Sequence, residues 1–207
     1  MSSTKTARAV PYMIGVAGPS CAGKTELARH LAAQLPAAIL PLDCYYLSLS
    51  NRPLEERAKF NFDEPAALDR DLFLQHLLAL AAGGEIARPV YDFSIHTRTG
   101  ETKPLKPESF IVVEGLFVLY WKDVRDLFGT KVFVHLPYGP CLERRILRDV
   151  RERGRTPESV RRQFAETVQP MAELHVRPTR SHADLMIAGD NPIQRSVDMV
   201  LAHIYHK

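Results

Sequence analysis

The 207 residues, 45% of them hydrophobic and 25% charged, have the composition of an ordinary globular protein with enough chain for a sizeable core. The net charge of +3 is too small to predict a nucleic-acid partner. The three cysteines show no C-x-x-C spacing, which argues against a disulfide framework or a zinc site and predicts a reducing, cytoplasmic location. Apolar runs of roughly 18 residues are absent, so no membrane span is expected. The N-terminal MSSTKTARAVPY lacks the apolar segment of a secretory signal and is expected to be a frayed leader.

The first predicted strand, Tyr12–Ala17, runs directly into GPSCAGKT at 18–25. That segment fits G-x-x-x-x-G-K-[ST], the P-loop that cradles phosphates with backbone N–H groups. Apolar residues with helical spacing follow up to Leu35, and Pro36 ends the run. The strand–loop–helix context argues against a chance match. We therefore predict that the loop binds a nucleoside triphosphate through Gly18, Pro19, Ser20, Cys21, Ala22, Gly23, Lys24 and Thr25, with Lys24 an exposed charge on the β- and γ-phosphates and Thr25 a ligand of Mg²⁺.

The rest of the chain alternates predicted strands and helices. Strands are predicted at 37–42, 110–113, 131–136 and 184–187, and helices at 65–82, 140–153, 158–174 and 192–206. Asp63 is a candidate cap for the helix at 65–82, and a hairpin insertion over about 86–107 is predicted to turn at Thr99-Gly100-Glu101. The alternation predicts an α/β fold of the P-loop NTPase type in one domain over 1–207, a parallel sheet with helices on both faces.

Two acidic residues follow predicted strands. Asp43 comes after the second strand and Glu114 after the strand at 110–113, so both are expected at the carboxyl edge of the sheet, facing the P-loop. A kinase acting on a hydroxyl group needs a base near that oxygen, for which Asp43 is well placed. Glu114 could support the metal directly or through water. The alternative for each carboxylate is to cap the next helix. A GTPase would want an N-K-x-D motif, which is absent.

An arginine-rich segment, CLERRILRDVRERGRTPESVRRQF at 141–164, contains eight arginines. The spacings of 4, 3 and 4 predict one helical face for Arg144, Arg148, Arg151 and Arg155. Permanently charged planar donors suit a lid, over about 140–156, that closes on a migrating phosphoryl group. One alternative is a solvated helix whose arginines pair with neighbouring acids. A nucleic-acid patch is the weaker alternative, because acids interrupt the run and Phe164 is its single aromatic residue.

Together these residues resemble the uridine kinase (uridine–cytidine kinase) family of P-loop kinases. The resemblance covers roughly 12–192 and is carried, beyond the P-loop, by motifs in the family order: DCYY at 43–46, NFDEPAALD at 61–69, YDFSIHTR at 91–98, and RD at 148–149 with ERGR at 152–155. Cys21 departs from the glycine or serine usual in the family loop. Because backbone groups face the phosphate there, we expect transfer to survive this change.

The resemblance implies ATP- and Mg²⁺-dependent phosphorylation of uridine or cytidine at the 5′-hydroxyl, in pyrimidine salvage. It implies that Asp43 is the base, that Asp63 and Arg145 hold the ribose hydroxyls, and that Tyr91 and His96 read the base. Further implied residues are Lys24, Arg148 and Arg153 in catalysis, Tyr46, Phe93, Arg155 and Gln163 at the substrate, and Asp190 at ATP. The family also suggests a homo-oligomer, a tetramer or a dimer.

Two alternatives stay open at this point. The chain could be a relative acting on another small hydroxyl substrate, like phosphoribulokinase or a nicotinamide riboside kinase. It could also be a non-catalytic nucleotide-binding switch. The hairpin with Tyr91 and His96 suits a base rather than a sugar phosphate. Asp43, Glu114 and the arginine-rich segment argue against the switch.

Overall fold

A five-stranded parallel sheet forms the centre of the computed structural model, which describes residues 10–206. Most of the predicted N-terminal leader therefore lies outside the described residues. The strands, in chain order, are β1 (Tyr12–Ala17), β2 (Ala37–Pro41), β3 (Ile86–Asp92), β4 (Thr97–Leu105), β5 (Phe110–Glu114), β6 (Thr130–His135) and β7 (Leu185–Ala188). The order in the sheet is β2-β5-β1-β6-β7, while β3 and β4 pair only with each other. The five predicted sheet strands are confirmed, each end within one residue of the prediction.

Helices cover both faces of the sheet. They are α1 (Lys24–Gln34), α2 (Leu54–Ala58), α3 (Arg70–Ala81), α4 (Lys122–Arg125), α5 (Tyr138–Arg153), α6 (Pro157–Gln163), α7 (Gln169–Met171) and α8 (Ile193–Tyr205). Side chains alternate across β5, so Val112 packs with α1 and α8, whereas Ile111 and Val113 pack with α3 and α4. Between residues 10 and 206, no helix combines the length and apolarity needed to cross a membrane.

The predicted start of the helix at 65–82 is wrong. Pro65–Ala67 is a separate 3₁₀ turn, and α3 begins at Arg70 with Asp69 as its N-cap. The Asp69 carboxylate accepts a hydrogen bond from the Leu72 N–H at 3.2 Å, which satisfies one of the free donors of the first turn. Asp63 lies outside the helix and is therefore free for another role.

The predicted hairpin insertion is present, but its turn lies elsewhere. The chain reverses at 93–96 and not at 99–101. Asp92 closes the turn, because its carboxylate accepts hydrogen bonds from both the N–H and the hydroxyl of Ser94. Gly100 instead lies within β4 with φ of +85°, where the strand register shifts. The turn at 93–96 places three sequence-predicted substrate residues at or beside the tip: Tyr91, Phe93 and His96.

A nearly continuous helical run follows β6. Gly154, with φ of +61°, ends α5 in the left-handed conformation, and Thr156 caps α6 through the Ser159 N–H. The predicted helix at 158–174 continues through Val176, with π-helical turns at Phe164–Val168 and Ala172–Val176, and then a 3₁₀ turn at Arg177–His182. Pro170, which has no N–H to donate, lies between the π-helical turns.

Candidate active site

A cleft of about 850 Å³ lies at the carboxyl edge of the sheet, between the P-loop, the hairpin and the arginine-rich segment. This is the edge at which parallel α/β sheets bind ligands. Most of the sequence-predicted site residues line it: Ser20, Cys21, Gly23, Lys24, Thr25, Asp43, Tyr46, Asp63, Tyr91, Phe93, His96, Glu114, Arg145, Arg148, Arg153, Arg155 and Gln163. Four predicted ATP-binding residues do not line the cleft: Gly18, Pro19, Ala22 and Asp190.

Three of these residues, Gly18, Pro19 and Ala22, nevertheless belong to the P-loop itself, and Asp190 lies close to it. Gly18 packs on β6 so closely that a Cβ there would lie 2.2 Å from the Val134 carbonyl oxygen, which explains the glycine. Ala22 is fully buried. The Pro19 carbonyl accepts a hydrogen bond from the Lys24 ammonium group. Asp190 is exposed, next to Gly189, which packs against the Ala22 carbonyl.

Lys24 is buried, contrary to the exposed charge expected from sequence. It is the first residue of α1, and its Nζ donates to the Pro19 carbonyl oxygen at 2.8 Å. The ammonium group is therefore held in the curve of the loop at the positive end of the α1 dipole. Anions bind readily in such a place. Cys21 takes a left-handed conformation with φ of +62°, which is uncommon for a residue other than glycine.

Thr25 and Glu114 form a hydrogen-bonded pair in the cleft. The Thr25 hydroxyl donates to the Glu114 carboxylate at 3.1 Å. Burial raises the pKa of Glu114, and the nearby charge of Asp43 raises it further. Within residues 10–206, no group of three or more acidic, histidine or cysteine side chains could enclose a metal ion. A hydroxyl and a carboxylate do fit Mg²⁺ that is shared with substrate phosphates, because this ion uses few protein ligands.

Asp43 lies in the 3₁₀ turn Leu42–Tyr45 that follows β2. Its carboxyl group is half-buried, and this burial raises its pKa. The positive charges of Lys24, Arg153 and Arg148 act in the opposite direction without cancelling the effect. Asp43 is thus a carboxyl group with raised proton affinity, facing the cations of the cleft.

Aromatic rings and a buried acid form the other end of the cleft. Phe62 stacks on His96, with ring centroids 6.0 Å apart and ring planes inclined by 21°. The ring centroids of Tyr46 and Tyr91 lie 5.3 Å apart. Burial raises the pKa of the adjacent Asp63, and the charge of Arg145 opposes this rise. The prediction of site residues omitted Phe62. Its position in NFDEPAALD, between two polar residues of a family motif, was the available signal.

The predicted arginine face is wrong. Arg151 is exposed and pairs with Glu152, and Arg155 lies beyond the end of α5. Arg144 turns away from the substrate end of the cleft, donating to the Gly189 carbonyl at 3.0 Å. The arginines that converge are instead gathered around one carboxylate of α5, Asp149: Arg145, Arg148, Arg153 and Arg155. A periodicity of 3.6 residues could not anticipate this, because long side chains bend toward a shared partner.

The arginine-rich segment also contacts the hairpin and the following helix. The Arg153 guanidinium lies 4.6 Å from the centre of the Phe93 ring, a cation–π contact across the cleft. Arg155 donates to the Gln163 side chain and, at 3.2 Å, to the Ser159 carbonyl. The cleft is thereby closed on one side by residues far apart in sequence.

Residues 13–191 match the model of the phosphoribulokinase / uridine kinase family. The chain belongs to this family. A uridine kinase from Vibrio cholerae serotype O1 is 39% identical over 199 residues, covering 93% of this chain and 93% of that relative. A uridine kinase from Chloroflexus aurantiacus is 43% identical over 199 residues, covering 94% of each. A solved D-glycerate 3-kinase from Cryptococcus neoformans covers 84% of this chain and 82% of its own with a TM-score of 0.60, but at 21% identity it shows only the fold.

Membership of this kinase family confirms the resemblance drawn from the sequence motifs. The chain is a P-loop kinase and a transferase, which rules against the non-catalytic switch. The family match spans the P-loop, the hairpin and the arginine-rich segment, so it includes every wall of the cleft.

Proposed function

We propose that this kinase transfers the γ-phosphate of ATP to the 5′-hydroxyl of uridine or cytidine, with Mg²⁺ as cofactor. The observation that carries the proposal is one cleft in which the P-loop faces both a buried acid, Asp63, and a stacked pair, Phe62 and His96. The P-loop suits a triphosphate, and the opposite end suits a ribose and a base. The names of the relatives described above agree with this substrate class.

In the proposed chemistry, Asp43 accepts the proton of the nucleoside 5′-hydroxyl. The hydroxyl oxygen forms a bond to the γ-phosphorus while the bond from that phosphorus to the β,γ-bridging oxygen breaks, giving the nucleoside 5′-monophosphate and ADP. Lys24, Arg148 and Arg153 stabilise the charge on the transferring group. The raised pKa of Asp43 suits a base, because proton transfer is more favourable to a group of higher pKa.

At the nucleoside end, the Asp63 carboxylate is proposed to accept hydrogen bonds from the two ribose hydroxyls, beside Arg145. His96 and Tyr91 are proposed to read the edge of the base. Burial lowers the pKa of His96, and the charges of Arg153 and Arg155 lower it further, so the ring is proposed to be neutral at pH 7 and to recognise the base by hydrogen bonding. The remaining proposed substrate contacts are Tyr46, Phe93, Arg155 and Gln163.

At the phosphate end, the P-loop is proposed to hold ATP, with Asp190 near the nucleotide. Thr25 and Glu114 would hold Mg²⁺, directly or through water, as their hydrogen-bonded contact suggests. The ion would supply neutralising charge to the phosphates and orient them. A cytoplasmic location, a single domain over 1–207 and a homo-oligomer, tetramer or dimer, stay predictions.

The proposal is tested by ADP release from ATP over a panel of acceptors: uridine, cytidine, adenosine, nicotinamide riboside and ribulose 5-phosphate. We expect the pyrimidine nucleosides to be turned over fastest, and Lys24→Met to abolish their turnover while thermal unfolding shows an intact fold. Preferred turnover of nicotinamide riboside or ribulose 5-phosphate would contradict the pyrimidine assignment. Near-normal turnover by Lys24→Met would remove the P-loop from the phosphate site.

A further inference from the structure

Asp149 is a fully buried carboxylate about one turn before the end of α5, surrounded by arginines. Its two oxygens lie within 3.7 Å of guanidinium nitrogens of the four arginines that face the cleft. Asp149 itself does not line the cleft, so it cannot touch the substrates. Its effect on the reaction must be exerted through the arginines.

The two carboxylate oxygens of Asp149 are used differently. Oδ1 accepts from Nε of Arg148 at 2.9 Å and lies 2.8 Å from Nη2 of the same residue. Oδ2 lies 3.5 Å from Nε of Arg145 and 3.7 Å from Nη1 of Arg155, yet makes no hydrogen bond among the described residues. Arg148 is therefore fixed to Asp149 by a directional contact. Arg145 and Arg155 are attracted to Asp149 by charge, and their hydrogen bonds go to other groups: Ser20, Gln163 and the Ser159 carbonyl.

The contact between Arg148 and Asp149 is unusual for adjacent residues of a helix. Neighbours in sequence point about 100° apart around the helix axis and do not normally face each other. Arg145 and Arg153 lie one turn away on either side, so they face Asp149 by helix geometry. Arg148 nevertheless contacts the same carboxylate, and it also lines the cleft, where its positive charge acts on Asp43.

Four guanidinium groups in one wall of a cleft also repel one another. Without a counter-charge, this repulsion would drive the side chains apart into water. A carboxylate in the buried interior opposes the repulsion strongly, because little water screens its charge.

We propose that Asp149 is a positioning residue for phosphoryl transfer. It holds Arg148 in the orientation that meets the transferring phosphate, and it serves as the shared counter-ion that keeps the other three guanidinium groups together. This inference rests on the proposed function, in which Arg148 stabilises the transferring phosphate.

The test is a double-mutant cycle on kcat with Asp149→Asn, Arg148→Ala and the double variant. Arginines that stabilise this transition state are worth ~10³-fold or more in kcat, so Arg148→Ala is expected to lose about that much. Asp149→Asn keeps the shape and removes the charge, and we expect a loss of ~10–100-fold. Because part of the effect of Asp149 passes through Arg148, the two losses should combine to less than their product in the double variant, and its remaining loss relative to Arg148→Ala comes from the other three arginines. Losses that multiply in the double variant would overturn the proposal.

Glu143→Gln is the matched control, since it removes an exposed carboxylate from the same helix and should leave kcat unchanged. If Asp149→Asn does not fold, Arg148→Lys tests the same contact, because an ammonium group keeps the charge but cannot keep the two-nitrogen contact with Oδ1. A wild-type kcat in Arg148→Lys would overturn the proposal.

The double-mutant cycle of Asp149 and Arg148 can fail independently of the acceptor-panel test of the proposed function. Failure of the wild-type chain to phosphorylate uridine or cytidine would contradict the proposed function. The cycle would then be measured with whichever acceptor of the panel is phosphorylated, or with acceptor-free ATP hydrolysis. In either assay, coupled losses support the role of Asp149 and multiplying losses refute it.

Discussion

Asp43 is the residue whose proposed role is easiest to isolate. Replacing the carboxylate by an amide of the same shape removes the proton acceptor but keeps the turn Leu42–Tyr45. We expect Asp43→Asn to lower kcat about 10²–10⁴-fold, the usual contribution of general acid–base catalysis, with little change in uridine affinity. Steady-state kinetics and calorimetric titration with uridine measure the two effects. A retained kcat with collapsed affinity would make Asp43 a binding residue instead.

His96 shows how the turn of the hairpin shapes a single side chain. Its φ of +52° lies in the left-handed region, which histidine tolerates better than most residues. The conformation presents the ring to Phe62 at the nucleoside end of the cleft. A residue that suits the turn thus also supplies hydrogen-bonding atoms where the base is proposed to lie.

At the scale of elements, the hairpin is tied to the segments that carry the acids of the cleft. Arg98 in β4 donates to the Tyr45 carbonyl at 3.0 Å and to the Asp69 carboxylate at 3.1 Å. The Leu49 N–H donates to the hydroxyl of Thr97 at 2.7 Å. These bonds hold the hairpin, which carries the proposed base-reading residues, against the turn that contains Asp43.

We therefore expect Arg98→Ala to loosen the hairpin. Hydrogen bonds to charged groups are worth about 2 kcal/mol, which for this chain length corresponds to a fall in Tm of about 4–8 °C. The KM for uridine should rise while the KM for ATP stays unchanged, because the P-loop is not affected. Differential scanning calorimetry and initial-rate kinetics measure these quantities.

Lys103→Ala is the control for this prediction, because Lys103 is exposed on the same strand. It should leave both Tm and KM unchanged. Equal effects of Arg98→Ala on the KM values of uridine and ATP would show general destabilisation instead of a loosened hairpin.

For the whole molecule, the acids of the cleft should lower stability. Burial raises the pKa of Asp43, Asp63 and Glu114 in the folded protein. The folded state then binds more protons than the unfolded state between the ordinary carboxyl pKa and the raised one. Stability contributed by these groups is therefore present at low pH and is lost as pH rises through the raised pKa.

This link between protonation and stability predicts how replacing a cleft carboxylate by the neutral amide of the same shape changes the Tm. Asp63→Asn and Glu114→Gln should each raise the Tm of the ligand-free protein at pH 7, and the gain should shrink as pH falls toward the ordinary values of 3.8 and 4.5. Thermal unfolding over pH 4–8 measures the difference from wild type. A gain that grows toward low pH would contradict the raised pKa values. The carboxylates of Asp63 and Glu114 thus lower the stability of the ligand-free protein, which is expected where the proposed function needs a negative charge in the cleft.

The sequence by itself determined the positions of the five sheet strands along the chain, the P-loop and the two acids that follow strands, whereas their order in the sheet came from the structure. Each of these depends on local patterns: period-two or continuous apolar runs, glycine spacing and the position of a residue at a strand end. The motifs around Asp63, Tyr91 and His96 then linked the chain to a family, and that resemblance supplied the proposed residue roles.

Tertiary structure alone decided which side chains meet. Asp69 rather than Asp63 caps α3, the hairpin turns at 93–96 rather than around Gly100, and Lys24 is buried against the Pro19 carbonyl. The convergence of the arginines on Asp149 was likewise decided only by the tertiary structure. Each outcome depends on burial and on charges brought together by packing. Local periodicity carries no information on either, because a long side chain turns toward its partner in space and not along its helix face.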